Sequence, residues 1–188
     1  MTKITWHTPE AAPEASRPLL TEAKQSFGFV PNLYAGLAES PTSLKAYTIL
    51  SDLFSRSRLS PVEQQVVALA VSIENESEYC VGAHSVIAKD TVKVPAAIIE
   101  ALRSGGRVPD PKLDVLANFA RLVVRKRGWV DETAVKAFLA AGFDRAQMLD
   151  VILGVSMVTL SSYANHIMRP TLDKGFESGR WTRTRKAA

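Results

Sequence analysis

The 188-residue sequence contains a single cysteine. That excludes an intramolecular disulfide and suits a reducing compartment. It contains no Asn-Gly or Asp-Gly pair, so the shortest β-hairpins have no turn signal. With one cysteine and three histidines, no second Cys/His pair exists to complete a zinc-type ligand set, and no cofactor motif is present. Aromatic residues are sparse, at 7%, and do not interleave with a basic stripe. The net charge of +4 rests partly on a basic tail, Arg180, Arg183, Arg185 and Lys186, and no nucleic-acid partner is expected. Residues 1–13 hold no apolar run behind a basic region, so no secretory signal is expected. The longest uncharged run, Val151 to Ile167, carries Ser156, Thr159, Ser161, Ser162, Asn165 and His166. It reads as a buried core helix, too polar to span a bilayer. The expectation is a cytoplasmic protein with no membrane partner.

What is abundant is helix punctuation. Ser60-Pro61-Val62-Glu63 reads as a capping box with proline at the first helical position. Ser40-Pro41 and Asp110-Pro111 repeat the cap-then-proline pattern, and Asp144 with Gln147 is a second capping box. Stops follow at Gly105-Gly106, Gly128, Gly142 and Pro170. Leu113, Leu116, Phe119, Ala120, Val123 and Val124 recur at helical spacing. The β-branched run Val66 to Ile73 could form a buried strand, but its continuity with the Ser60 cap favours a helix. An all-α protein is expected: one domain over 1–188, with an irregular arm at 1–14 and the basic tail at 177–188. Its core is expected around helices Ser60–Asn75, Ser77–Lys89 and Asp144–Arg169.

The chemically informative stretch is Ser77 to His84. Positions 77, 80 and 84 share one face of a helix. With Ser77 as N-cap, Cys80 takes the third helical position, where backbone N–H groups and the positive helix end favour a thiolate. His84 can pair with the sulfur, as base or as imidazolium, while Glu78 opposes a second negative charge. By spacing alone the pair is a weak signal and reads rather as a buried small apolar residue followed by a histidine. His166 is expected as a hydrogen-bonded core residue, and His7 lies in the arm.

At these residues the chain resembles the carboxymuconolactone decarboxylase superfamily, in its alkylhydroperoxidase D-like branch. That branch carries a Glu and then a Cys-x-x-Cys-x-x-x-His signature. Leu59 to Ser72 looks like the helix leading into it, and Tyr79 to His84 like its second half. Phe27 to Asn32 resembles the N-terminal motif of longer members, and Asn165-His166 with Thr171-Leu172-Asp173 and Phe176 their C-terminal end. The sequence departs twice: Ser77 stands at the first cysteine and Gln65 at the glutamate. Cys80, the nucleophile's position, and His84 are kept. The resemblance implies an AhpD-like helical fold in a homo-oligomer, a trimer or hexamer. It also implies a peroxiredoxin-type antioxidant activity, in which the Cys80 thiolate attacks a hydroperoxide and becomes a sulfenic acid. Ser77 cannot resolve that acid as a disulfide, so an external thiol or protein reductant is required. Gln65 can hold water or His84 but cannot relay a proton as a carboxylate does.

Two further readings stay open at the sequence level. One is a lactone decarboxylase or isomerase in which His84 transfers protons without a cysteine. The other is a helical oligomer that has kept the fold without the chemistry. Ordered chain ends are expected to dock, with a second subunit as the candidate surface.

Overall fold

The computed structural model describes residues 4–183, and every regular element among them is helical. Nine α-helices follow in order: α1 Arg17–Phe27, α2 Asn32–Leu37, α3 Pro41–Ser55, α4 Pro61–Glu74, α5 Glu78–Val86, α6 Ala96–Arg103, α7 Pro111–Arg125, α8 Glu132–Ala140 and α9 Arg145–Met168. A π-helical segment, Ile87–Val92, extends α5, so the helix expected over Ser77–Lys89 changes its winding after Val86. A short 3-10 segment, Glu14–Ser16, leads into α1, and another, Lys174–Gly179, follows α9.

The starts fall where cap chemistry puts them. Ser60 accepts from the Glu63 amide while the Glu63 carboxylate accepts from the Ser60 amide. Asp144 and Gln147 do the same for α9. Ser40, Asp110 and Asp131 each accept an amide proton three residues on. Each such cap contributes about 1 kcal/mol. Gly105, Gly128 and Gly142 have positive φ beyond their helices, as their stop roles require.

Helix α4 is the hub, packing against α5, α6, α7 and α9. Val66, Val67, Leu69 and Val71 have no exposed surface. Valine disfavours a helix by a few tenths of a kcal/mol, whereas burying its side chain gains about 1.5–3 kcal/mol. Burial therefore decides the ambiguous run as helix. Val66, Leu69 and Val71 are buried within this chain itself, while Ile73 is half-buried.

Among the described residues, both end segments dock on the chain itself. In the arm, the His7 amide donates to Ala35 O and its ring meets Glu39 at 2.6 Å. Past α9, the Arg103 guanidinium donates to the carbonyls of Gly179 and Arg180, and the Trp181 indole N–H donates to Arg103 O. The tail is thus not a simple solvated charge run. Arg180 pairs with Glu177, and Arg183 pairs with Glu76. Arg185 and Lys186 lie outside the described residues. Helix α9 has the length and mean hydropathy, 1.3, of a helix able to cross a membrane, which corrects its reading as too polar. Its buried face packs on α3 and α4.

Candidate active site

Helix α5 runs between α4 and α9 and carries Cys80 as its third residue. The thiol is 3% exposed. Its sulfur meets three polar groups of α9 within one turn: Ser161 Oγ at 3.5 Å, Ser162 Oγ at 3.8 Å and Asn165 Nδ2 at 3.3 Å. The Ser161 hydroxyl proton is directed to Val158 O at 3.0 Å, so towards the thiol Ser161 is an acceptor. Ser162 and Asn165 donate, so two donors are aimed at the sulfur at the N-terminal end of α5.

The expected Cys80–His84 hydrogen bond is not made. The sulfur is held by α9, and the imidazole turns the other way onto α4, where Nδ1 lies 3.1 Å from Gln65 Oε1. The amide oxygen only accepts, so Nδ1 carries the proton and Nε2 keeps its lone pair. Burial, with no carboxylate beside it, pushes the His84 pKa down to about 4. At neutral pH His84 is therefore a neutral base.

Cys80 and His84 nevertheless share a wall. Both line a cavity of about 50 Å³ closed by Leu33, Tyr34, Tyr47, Tyr79 and Phe176. His84, Tyr34, Tyr47 and Phe176 also border a wider cleft of about 560 Å³ that reaches Gln65. His84 thus stands between the inner pocket and the outer cleft. The tyrosines were not singled out from the sequence. Tyr79 donates to Asp173 Oδ2 at 2.6 Å and accepts from the Leu33 amide at 3.3 Å. Burial, then the Asp173 bond, pushes its phenol well up. Burial raises Tyr34 to about 12 and Tyr47 strongly. All three are neutral hydroxyls. Asp173 also accepts from the Asn32 amide, so one carboxylate ties α2, α5 and the post-α9 segment around the pocket.

Ser77 departs from its expected role. It occupies the N-cap position but makes no capping bond, and its Oγ is buried without a partner. It lines a separate cavity with Asn165. His166 is also corrected: it lies on the outer face of α9, exposed and stacked on Tyr163 at 6.3 Å. The residues whose role was missed, Ser161, Ser162 and Asn165, had a signal, since polar residues at i, i+1 and i+4 share a face of an otherwise apolar helix. Among the described residues no three His, Cys, Asp or Glu side chains converge as a metal site.

Residues 41–109, which carry α3 to α6 and with them Gln65, Cys80 and His84, match the carboxymuconolactone decarboxylase family. The fold agrees across nearly the whole chain with the AhpD-core, peroxidase-related protein from Ralstonia eutropha JMP134. The two share 25% identity over 97% of this chain and 100% of that one, with a TM-score of 0.79. The chain thus carries a carboxymuconolactone decarboxylase family match over α3 to α6 and has an AhpD-like fold. Two more distant structures share that fold alone. A peroxidase-related protein from Silicibacter sp. TM1040 is 19% identical over 92% of this chain and 91% of that one, with a TM-score of 0.77. The debrominase Bmp8 is 15% identical over 95% and 96%, with a TM-score of 0.79. No curated protein matches the sequence.

Proposed function

We propose that this AhpD-like protein reduces hydroperoxides through Cys80 alone, with an external thiol as reductant. The observation that carries the reading is the hydrogen-bonded seat of Cys80 Sγ, which shares a small cavity with the lone pair of a neutral His84. The thiol proton passes to His84 Nε2, directly or through a water in the pocket. The thiolate attacks the distal peroxide oxygen, the S–O bond forms and the O–O bond breaks. The alkoxide leaves with the proton from His84, giving an alcohol and a Cys80 sulfenic acid. One external thiol then displaces the sulfenic oxygen as water, forming a mixed disulfide. A second thiol releases Cys80 and leaves as the external disulfide. Gln65 positions His84 and holds its tautomer. The apolar and aromatic walls suit an alkyl or aryl hydroperoxide.

The test is turnover of an organic hydroperoxide with a small thiol. The expected outcome is activity in the unsubstituted protein and none in Cys80→Ser. Activity that survives Cys80→Ala but disappears in His84→Ala would replace this reading with proton transfer by His84, as in the lactone decarboxylase or isomerase alternative. His84 also borders the outer cleft, which favours that second reading. Aromatic substrates suit the fold more widely: a cysteine-to-alanine variant of Bmp8 forms a complex with 2,3,4-tribromopyrrole.

The proposed assembly is a homo-oligomer, a trimer or hexamer. It is supported by exposed apolar side chains on α9, Leu149, Ile152, Tyr163 and Ile167, and on α3, which packs against it, Ile49 and Leu53. Exposed apolar surface marks interaction sites where it is contiguous.

A further inference from the structure

A separate cavity has no part in the reaction as far as the sulfenic acid. It measures about 730 Å³ and is lined by neither Cys80 nor His84, but by Tyr79 next to Cys80 in sequence and by Asn165, which touches the sulfur. Its floor includes Ser77 and Asn165, which are 1% and 5% exposed. Each carries an oxygen with no hydrogen-bond partner, Ser77 Oγ and Asn165 Oδ1. Buried polar atoms without partners are uncommon and costly, so two on one cavity floor point to a group that is absent from the resting chain. Asn165 is also the side chain whose Nδ2 covers the Cys80 sulfur at 3.3 Å. That N–H···S contact is the only side-chain hydrogen bond of Asn165, so its amide stands between the cavity and Sγ. Ser77, one turn before Cys80, is where a second sulfur of the Cys-x-x-Cys signature would stand.

The mouth of the cavity carries charge. Arg183 is neutralised by Glu76 at 2.6 Å, and its amide is bound by Glu78. Arg169 makes no ion pair among the described residues, and it sits at the end of α9 with φ +53. Glycine is the usual residue for such a left-handed helix end. Arg169 lines the cavity there, as the one cation of its lining without an ion pair among the described residues.

We infer that this cavity is the entry port for the resolving thiol, and that it selects a small thiol bearing a carboxylate. The carboxylate meets Arg169 while the sulfur passes Asn165 to the place a second cysteine would occupy. This rests on the one-cysteine reading above. The thiolate attacks the Cys80 sulfenic acid, the S–O bond breaks, and the oxygen leaves as water with the thiol's proton. Sulfur in Cys80 is reduced as the incoming thiol is oxidised to the mixed disulfide. The second thiol enters by the same port and frees Cys80.

Three thiols of similar size separate the possibilities: 3-mercaptopropionate, 2-mercaptoethanol and cysteamine. With Cys80 oxidised by one equivalent of hydroperoxide, the expected order of resolution per unit thiolate is anionic, neutral, cationic. Arg169→Gln should slow the anionic thiol by about fivefold, leave 2-mercaptoethanol unchanged and abolish the order. Salt should erase the same preference. An order unaffected by Arg169→Gln, or cysteamine reacting fastest, overturns the inference. A second readout does not depend on peroxide: the iodoacetate-to-iodoacetamide rate ratio for alkylation of reduced Cys80. It should fall by a similar factor in Arg169→Gln, and a ratio unchanged by the substitution counts against the port. If that ratio falls while no sulfenic acid forms with hydroperoxide, the port stands and the peroxidase reading fails.

Discussion

At the level of single residues, the site is defined by which partner each polar atom takes. Cys80 and His84 share a helix face, as their spacing requires, yet neither bonds the other. Serines and an asparagine of α9 hold the sulfur, and Gln65 of α4 holds the imidazole. The sequence showed which residues to watch because the signature spans eight consecutive positions. It could not show that α9 supplies the groups around the sulfur, since those lie more than eighty residues away. Gln65 has a measurable effect on His84. A carboxylate in its place would favour the imidazolium, so Gln65→Glu should raise the His84 pKa from about 4 by one or more pH units, read from its ring resonances by NMR. In peroxide turnover, His84→Ala should lose about a hundredfold in kcat, the usual size of a lost general base.

At the level of elements, the caps and the burial pattern were legible and the packing partners were not. Every cap named from the sequence with a Ser or Asp followed three residues on by an amide makes that bond, except Ser77. There the serine sits at the right position, but its hydroxyl faces a cavity floor instead of the helix end. Ser60→Ala should cost about 1 kcal/mol in chemical denaturation, because it removes the hydroxyl that accepts from the Glu63 amide, while the residue-60 amide still donates to the Glu63 carboxylate. The close approach of α3 to α9 could not be read from the sequence either. It depends on Gly154, where an added Cβ would stand 2.6 Å from the Phe54 ring and 3.0 Å from Val67. Gly154→Ala should lower stability by about 1–3 kcal/mol through overpacking, despite alanine's better helix propensity, and lower Tm in a calorimetric scan.

On the scale of the whole molecule, two properties follow from what is buried and what is not. His84 is neutral in the fold and has a pKa near 4, against about 6.5 when unfolded. Between those values the unfolded chain binds the extra proton. Its contribution to stability is therefore complete above pH 6.5 and is lost as pH falls towards 4. His84→Gln should flatten that part of a stability-against-pH curve. The exposed apolar side chains of α9 are the other property, with Ile167 78% exposed and Leu149 69% exposed. Light scattering at micromolar concentration should give the mass of a trimer or hexamer, and Ile167→Lys should shift it towards the monomer. The helical class and the core were readable because helix punctuation is dense. The docking of both end segments was not, because it depends on contacts such as Trp181 with Arg103 O that no local pattern encodes.

The central claim is that Cys80 is the group that meets the oxidant. Dimedone trapping after one equivalent of an organic hydroperoxide at pH 7, read by peptide mass spectrometry, tests it most directly. The account expects an adduct on Cys80 that forms with the unsubstituted protein, is much slower in His84→Ala and is absent in Cys80→Ser. Folded protein that consumes no peroxide and carries no adduct on Cys80 would contradict it.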